Sequence, residues 1–92
     1  MLTVEFTNKM KRDVRRMRKR GKDLAKLETA LLLLSAQSQM PSVYRDHQLM
    51  GNLSDFRECH IEPDWLLIYQ IIEDRLILNA TETGTHSDLF GE

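Results

Sequence analysis

The sequence predicts an α+β fold: one β-strand, an αα-hairpin, then a three-stranded antiparallel meander packed against the helices. Two observations carry this expectation. Apolar residues recur at helical spacing from Phe6 to Leu34, whereas from Asp55 onward they form short strand-like runs with very short connections. With 92 residues, the chain has the length of one domain, taken as 1–92. An apolar share of 41% and a charged share of 29% are ordinary for a globular protein and argue against extended disorder.

Leu2 to Phe6 alternates weakly and reads as the first strand, after which Thr7 is placed to cap a helix. That helix buries a stripe of Phe6, Met10, Val14 and Met17 and ends at Gly21. Asp23 caps the second helix, whose stripe is Leu24, Leu27, Leu31 and Leu34, flanked by Ala30 and Leu33. Pro41 lacks an N–H and clashes with a preceding helical turn, so a loop is expected over 39–54. The strands of the meander are Asp55 to Ile61, Asp64 to Ile72 and Arg75 to Thr83. The middle one is apolar on both faces, as a central strand covered on two sides must be.

A net charge of −1 conceals a strong asymmetry. Lys9, Lys11, Arg12, Arg15, Arg16, Arg18, Lys19, Arg20, Lys22 and Lys26 crowd the helical region, while the chain from Ser42 onward is acidic. Such a stretch carries its own positive field, suited to a phosphate backbone or an acidic protein, although a basic helical face can also be merely solvated. Cys59 is the single cysteine and has no internal disulfide partner. Met1 to Phe6 has neither the basic nor the apolar region of a secretory signal, so a cytoplasmic location is expected. No membrane span is expected, because the Leu31 to Leu34 run is far short of the roughly 20 apolar residues that cross a bilayer.

Strand register brings the chemically capable residues together. A two-residue turn at Glu73 and Asp74 would set Ile72 opposite Arg75 and Asp64 opposite Thr83. His86 follows Thr83 by three residues, and Gly84 between them permits a bend back over the central strand. A three-residue connection over 61–63 would pair His60 with Asp64; a two-residue one would pair it with Trp65. Either way, His60, Asp64 and His86 reach one end of the sheet. Two imidazoles and a carboxylate suit RNA cleavage by its own 2′-hydroxyl, which needs a base, an acid and a group that stabilises the phosphorane. Surface or satisfied core histidines are the plainer alternative. A zinc site built from His47, His60, His86 and Asp64 is another, although no close ligand pair supports it.

Strand parity turns Cys59 and Arg57 away from His60, which reads as a packing cysteine and a weak phosphate clamp. Trp65 and Tyr69 fit a core, and Trp65 is also a candidate RNA contact. Phe90 suits anchoring of the C-terminal tail, or stacking on a base.

Tyr44-Arg45-Asp46-His47, Leu49, Gly51, Phe56-Arg57, His60, Glu62-Pro63-Asp64-Trp65-Leu66-Leu67-Ile68-Tyr69, Gly84-Thr85-His86 and Leu89-Phe90-Gly91 together resemble the YafQ branch of the RelE toxin superfamily. The likeness spans essentially the whole chain, although the helices match mainly in pattern and basic character. It implies a RelE-like α+β fold and a ribosome-dependent endoribonuclease that cleaves mRNA in the ribosomal A site, inhibits translation and is neutralised by a cognate antitoxin. It implies no metal and no organic cofactor. Carried over by position, the catalytic residues are His47, His60, Asp64 and His86, with Asp64 as general base, His86 as general acid, and His47 and His60 orienting the phosphate. Phe90, Trp65, Lys9, Arg12 and Arg16 are the candidate RNA contacts. A pI near 6.3 departs from the basic character usual in the family. A non-catalytic binding module using the basic helices is the rival reading.

Overall fold

Thr7 starts the helical region as expected: its Oγ1 accepts from the Met10 N–H at 2.9 Å and donates to the Thr81 carbonyl at 2.6 Å, so one side chain both caps the helix and ties it to a strand. The computed structural model describes residues 1–91. Its elements are β1 (Thr3–Phe6), α1 (Asn8–Lys19), α2 (Leu24–Ser35), β2 (His47–Gln48), β3 (Arg57–Glu62), β4 (Trp65–Ile72), β5 (Ile77–Gly84) and α3 (His86–Phe90). Gly21 ends the first helix in the left-handed region at φ 82°, with Gly21 N–H on the Arg18 carbonyl and Lys22 N–H on that of Met17. That pair of bonds is a Schellman cap, which satisfies carbonyls that the last turn would leave open.

The strands form one sheet in the order β1-β5-β4-β3-β2, with β1 parallel to β5 and the rest antiparallel. The expected meander is its centre, and β4 is the middle strand. Two elements were not foreseen: β2, inside the expected loop, and α3, where a bend alone was expected. The core joins Met10, Met17, Leu27, Leu31 and Leu34 of the helices to Cys59, Trp65, Leu67, Tyr69, Leu78 and Ala80 of the sheet. Burying one such large side chain contributes roughly 1.5–3 kcal/mol. Ile68 points to the opposite face, where it lines a cavity of about 90 Å³ with Leu49, Leu53, Phe56 and Phe90. Both faces of β4 are thus covered, which explains its unbroken apolar run.

The expected registers need correction. Glu73–Arg75 wind into a 3₁₀ turn and Leu76 adopts φ 55°, so Ile72 pairs with Ile77, not Arg75. A bulge between Ile68 and Tyr69 shifts the ladder again, and Thr83 lies opposite Leu67 rather than Asp64. On the other side His60 pairs with Leu66, Glu62 with Trp65, and an irregularity falls between His60 and Glu62. Asp64 is therefore a turn residue beside Pro63 and not the first residue of a strand.

One buried carboxylate joins α1 to β5. Asp13 accepts from the Thr83 N–H at 3.1 Å, Lys9 Nζ at 2.9 Å and Arg16 Nη2 at 3.1 Å. Thr83 Oγ1 in turn accepts from Trp65 Nε1 at 2.9 Å and donates to the Leu66 carbonyl at 2.5 Å. Buried polar groups satisfied in this way fix the end of β5 from which the chain enters α3. No helix among the described residues is long and apolar enough to cross a membrane.

Candidate active site

His60 sits on the sheet face away from α1 and α2, because it alternates with Cys59, which faces them. Glu58, two residues earlier, shares that face and is only 6% exposed. Its Oε1 lies 3.2 Å from His60 Nε2 and 3.8 Å from His47 Nε2. His60 Nδ1 faces the Pro63 carbonyl at 3.4 Å. Both nitrogens of this buried ring therefore look at acceptors, an arrangement in which it serves as a hydrogen-bond donor.

His47 reaches the site on β2, the short edge strand. Its Nδ1 lies 2.8 Å from the Arg45 carbonyl, so Nδ1 carries the hydrogen and Nε2 is left for other work. The residue before it anchors the strand from the opposite face of the sheet. Asp46 accepts from the Tyr69 hydroxyl and, at 3.0 Å, from Arg57 Nη2, while Arg57 Nε donates to the Tyr69 hydroxyl at 3.3 Å. Burial, and secondarily the bond to Asp46, pushes the Tyr69 hydroxyl above its ordinary range. Arg57 points away from His60 as strand parity requires, and its work is to hold the chain beside His47.

His86 and Asp64 meet directly although the expected register fails. Thr85 caps α3, and Asp88 closes a capping box: Asp88 N–H donates to Thr85 Oγ1 at 3.1 Å while Asp88 Oδ2 accepts from Thr85 N–H at 2.9 Å. The turn this creates aims both donors of His86 at one carboxylate oxygen, with the backbone N–H 2.9 Å and Nδ1 2.6 Å from Asp64 Oδ1. These bonds, the backbone one foremost, lower the Asp64 carboxyl below its ordinary range. His86 Nε2 remains free among the described residues. Arg20 then binds Asp88 with both terminal nitrogens, at 2.5 and 2.9 Å. That clamp holds the Asp88 carboxyl far below the usual carboxylate range, with help from Thr85 and Arg16. Gly84 is needed here for space and not for a left-handed φ: a Cβ would stand 2.9 Å from two Asp88 atoms and 3.1 Å from Arg16 Nη2.

The three rings form a row, with centroids 6.5 Å apart for His47 and His60 and 5.9 Å for His60 and His86. Asp64 closes one end and Glu58 lies beneath. Glu58 was missed from sequence, since a carboxylate in a strand ordinarily marks the solvated face; its position two residues before His60 was the available signal. Cys59 takes no part: burial, then Asp46 and Glu58, push its thiol up to about 12. A zinc ion needs donor atoms within about 2.0–2.1 Å of itself. Here three of the ring nitrogens are taken up by the Arg45 and Pro63 carbonyls and by Asp64, and no group of three or more His, Cys, Asp or Glu among the described residues is arranged to hold a metal.

The candidate RNA contacts divide. Trp65 is 0% exposed with its N–H bonded to Thr83, so it is a core residue with no face open to a base. Lys9 and Arg16 are engaged by Asp13, and Lys9 also by Glu82 at 3.3 Å. Arg12 is exposed and unpaired among the described residues, as are Lys11, Arg15, Arg18 and Lys19. Phe90 anchors against the small cavity yet keeps 39% of its surface open.

A small α+β protein with an accessible imidazole–carboxylate row at the rim of its sheet is a protein equipped for acid–base chemistry. The model of the bacterial toxin of type II toxin-antitoxin systems, YafQ, matches residues 2–91, and the chain belongs to that family. It is 39% identical over 89 residues to the mRNA interferase toxin YafQ of Escherichia coli K12, covering 96% of this chain and 95% of that protein. Among solved structures, a metal-bound toxin from Helicobacter pylori is 41% identical with a TM-score of 0.93, covering 98% of this chain and 100% of its own. YafQ in the Escherichia coli DinJ-YafQ complex is 37% identical with a TM-score of 0.89, covering 99% and 100%. The α+β fold read from the sequence is the fold of these toxins.

Proposed function

We propose that this toxin is an endoribonuclease that cleaves mRNA in the ribosomal A site by acid–base catalysis without a metal, and that a cognate antitoxin neutralises it. The toxin family, the mRNA interferase activity in the name of the K12 relative and the DinJ-bound form of a YafQ toxin support the class of activity and the partner. The single observation that supports the mechanism is the direct contact of His86 with Asp64 in line with two further imidazoles. Ribosomes place the work in the cytoplasm. The unpaired cations of α1, Arg12 among them, supply a face for rRNA phosphates.

His47 Nε2 takes the proton of the 2′-hydroxyl, whose oxygen attacks the adjacent phosphorus. The bond from phosphorus to the 5′-oxygen breaks, and His86 Nε2 gives that oxygen a proton, leaving a 2′,3′-cyclic phosphate and a 5′-hydroxyl. Asp64 fixes the His86 tautomer and stabilises the ring when it is charged. This departs from Asp64 as the base, because a carboxyl whose affinity for protons is lowered by two bonds from His86 is a poor acceptor near neutrality. His60, held between Glu58 and the Pro63 carbonyl, keeps the His47 and His86 rings at their spacing on either side of the phosphate, and the open part of Phe90 stacks on a base.

Mapping new mRNA 5′ ends in a translation extract, with and without ribosomes, tests the activity. His86→Ala is expected to lower the rate roughly 100- to 10,000-fold with fold and antitoxin binding intact. Asp64→Asn should retain more activity than that, since an amide oxygen still accepts from Nδ1. Full activity of His86→Ala would refute the assignment, and equal loss in both variants would return the base role to Asp64. Absence of new ends with the natural toxin would favour the binding module, and loss of cleavage on adding a chelator would overturn the metal-free mechanism.

A further inference from the structure

A groove of about 710 Å³ opens beside His60, between α2 and the turn joining β3 to β4. Lys26 and Thr29 form one wall, His60 and Pro63 another, and Val43 and Arg45 the rim. The mechanism above uses none of it except His60. We infer that this groove is the subsite for the nucleotide next to the scissile phosphate, with the Arg45 guanidinium as its phosphate contact. The inference rests on the endoribonuclease reading and names where that substrate extends.

Continuity carries the first step. Arg45 lines the groove and its carbonyl holds the His47 ring, while His60 lies at the sheet edge where groove and ring row meet, so a strand whose phosphate lies on the row has this groove as an adjoining place to run around that edge. The volume falls within the roughly 300–1,000 Å³ typical of small-ligand sites. Val43, 77% exposed, and Pro63 offer apolar surface of the kind against which unstacked bases rest.

Charge carries the second step. Lys26 on the groove wall already holds Glu62 at 2.9 Å, and Lys22 holds the same carboxylate at 2.7 Å. Arg45 is exposed, and among the described residues its guanidinium has no ion pair or hydrogen bond. Glu62, which shares the groove lining with Arg45, is already engaged by Lys22 and Lys26, and Asp46, next in the chain, by Arg57. A free planar guanidinium beside a reacting phosphodiester is the donor best shaped for a phosphate. The Arg45 backbone is also held at φ 49°, and its carbonyl accepts from His47. One residue thereby sets the His47 ring and presents the cation.

Arg45→Asn and Arg45→Lys separate these two duties. Asparagine tolerates the left-handed region and keeps the carbonyl for His47 while removing the charge; lysine keeps the charge. Cleavage of mRNA on programmed ribosomes is measured at several salt concentrations, with thermal melting to show that each variant is folded. For Arg45→Asn, KM is expected to rise about tenfold or more, with kcat changed by less than about threefold. The slope of log KM against log salt should become shallower by about 0.7, the value for one lost single-strand phosphate contact. Arg45→Lys should recover most of the KM. An unchanged KM in Arg45→Asn, or a fall confined to kcat, would overturn the inference and leave the endoribonuclease reading standing. A single-stranded tetranucleotide with 2′-deoxy sugars gives an independent readout on the natural toxin by NMR. Shifts at Val43 and Arg45 are expected; their absence counts against the groove even if no cleavage is ever seen.

Discussion

Replacing Asp88 by alanine is expected to loosen α3 and take His86 away from Asp64. The magnitude follows from what the side chain does. Its capping-box bonds with Thr85 are worth about 1 kcal/mol, the usual cost of losing a helix cap. The two-pronged contact with Arg20 adds little to this, because the Arg20 side chain is 40% exposed and solvent screens the pair. A loss of about 1–2 kcal/mol corresponds to a Tm lower by roughly 4–16 °C in a domain of this size. Local opening of α3 would shift the balance: the melt moves less, while the His86 N–H loses protection from hydrogen exchange. In either case kcat for mRNA cleavage should fall at least about tenfold if His86 is the acid proposed above, because its ring is no longer oriented. Asp88→Asn keeps one acceptor oxygen for Thr85 but loses the charge and the two-pronged contact with Arg20, so it should fall between. Acid titration supplies the sign. The Asp88 carboxyl is lowered in the folded state, so its contribution is complete above the unfolded carboxylate range near about 3.9 and is lost as pH falls toward the folded value. Asp88→Asn should therefore flatten the acid limb of stability against pH. An alanine variant with an unchanged Tm, unchanged exchange at His86 and full activity would refute this account of how His86 is held.

Two further substitutions test neighbouring parts of the same frame. Gly84→Ala forces a methyl group to 2.9 Å from Asp88 and should displace α3, with a cost of roughly 1–3 kcal/mol in a thermal or urea melt and a larger loss of cleavage than of stability. Thr83→Val preserves shape but leaves Trp65 Nε1 and one bond to the Leu66 carbonyl without their partner, so about 1–3 kcal/mol should be lost in denaturant titration. A Thr83→Val protein as stable as the natural one would mean that the Trp65 N–H finds another acceptor.

The helices were legible because their signals are local. Thr7, Gly21 and Asp23 act on backbone groups within a few residues, so type and spacing alone locate the ends. Register was not legible, since counting across a hairpin assumes an uninterrupted ladder. The left-handed Leu76 and the bulge at Ile68 and Tyr69 together moved the partner of Thr83 from the expected Asp64 to Leu67, three residues away. The meeting of His86 with Asp64 survived that error for reasons the register did not contain. Pro63 and Asp64 form the turn itself, and the Thr85–Asp88 box winds the chain back onto it.

Burial separates residues that composition treats alike. Lys9, Arg12 and Arg16 look equivalent in the sequence, but a carboxylate withdrawn from water at Asp13 demands cations, and it takes Lys9 and Arg16 while leaving Arg12 to solvent. Part of the basic stretch is thus structural, and its work is to hold the end of β5 from which His86 projects. The same reasoning explains the acidic pI beside a nucleic-acid function: with Asp13, Glu62 and Asp88 each engaging two cations, the positive charge available to RNA is set by which cations are left unpaired and not by the total.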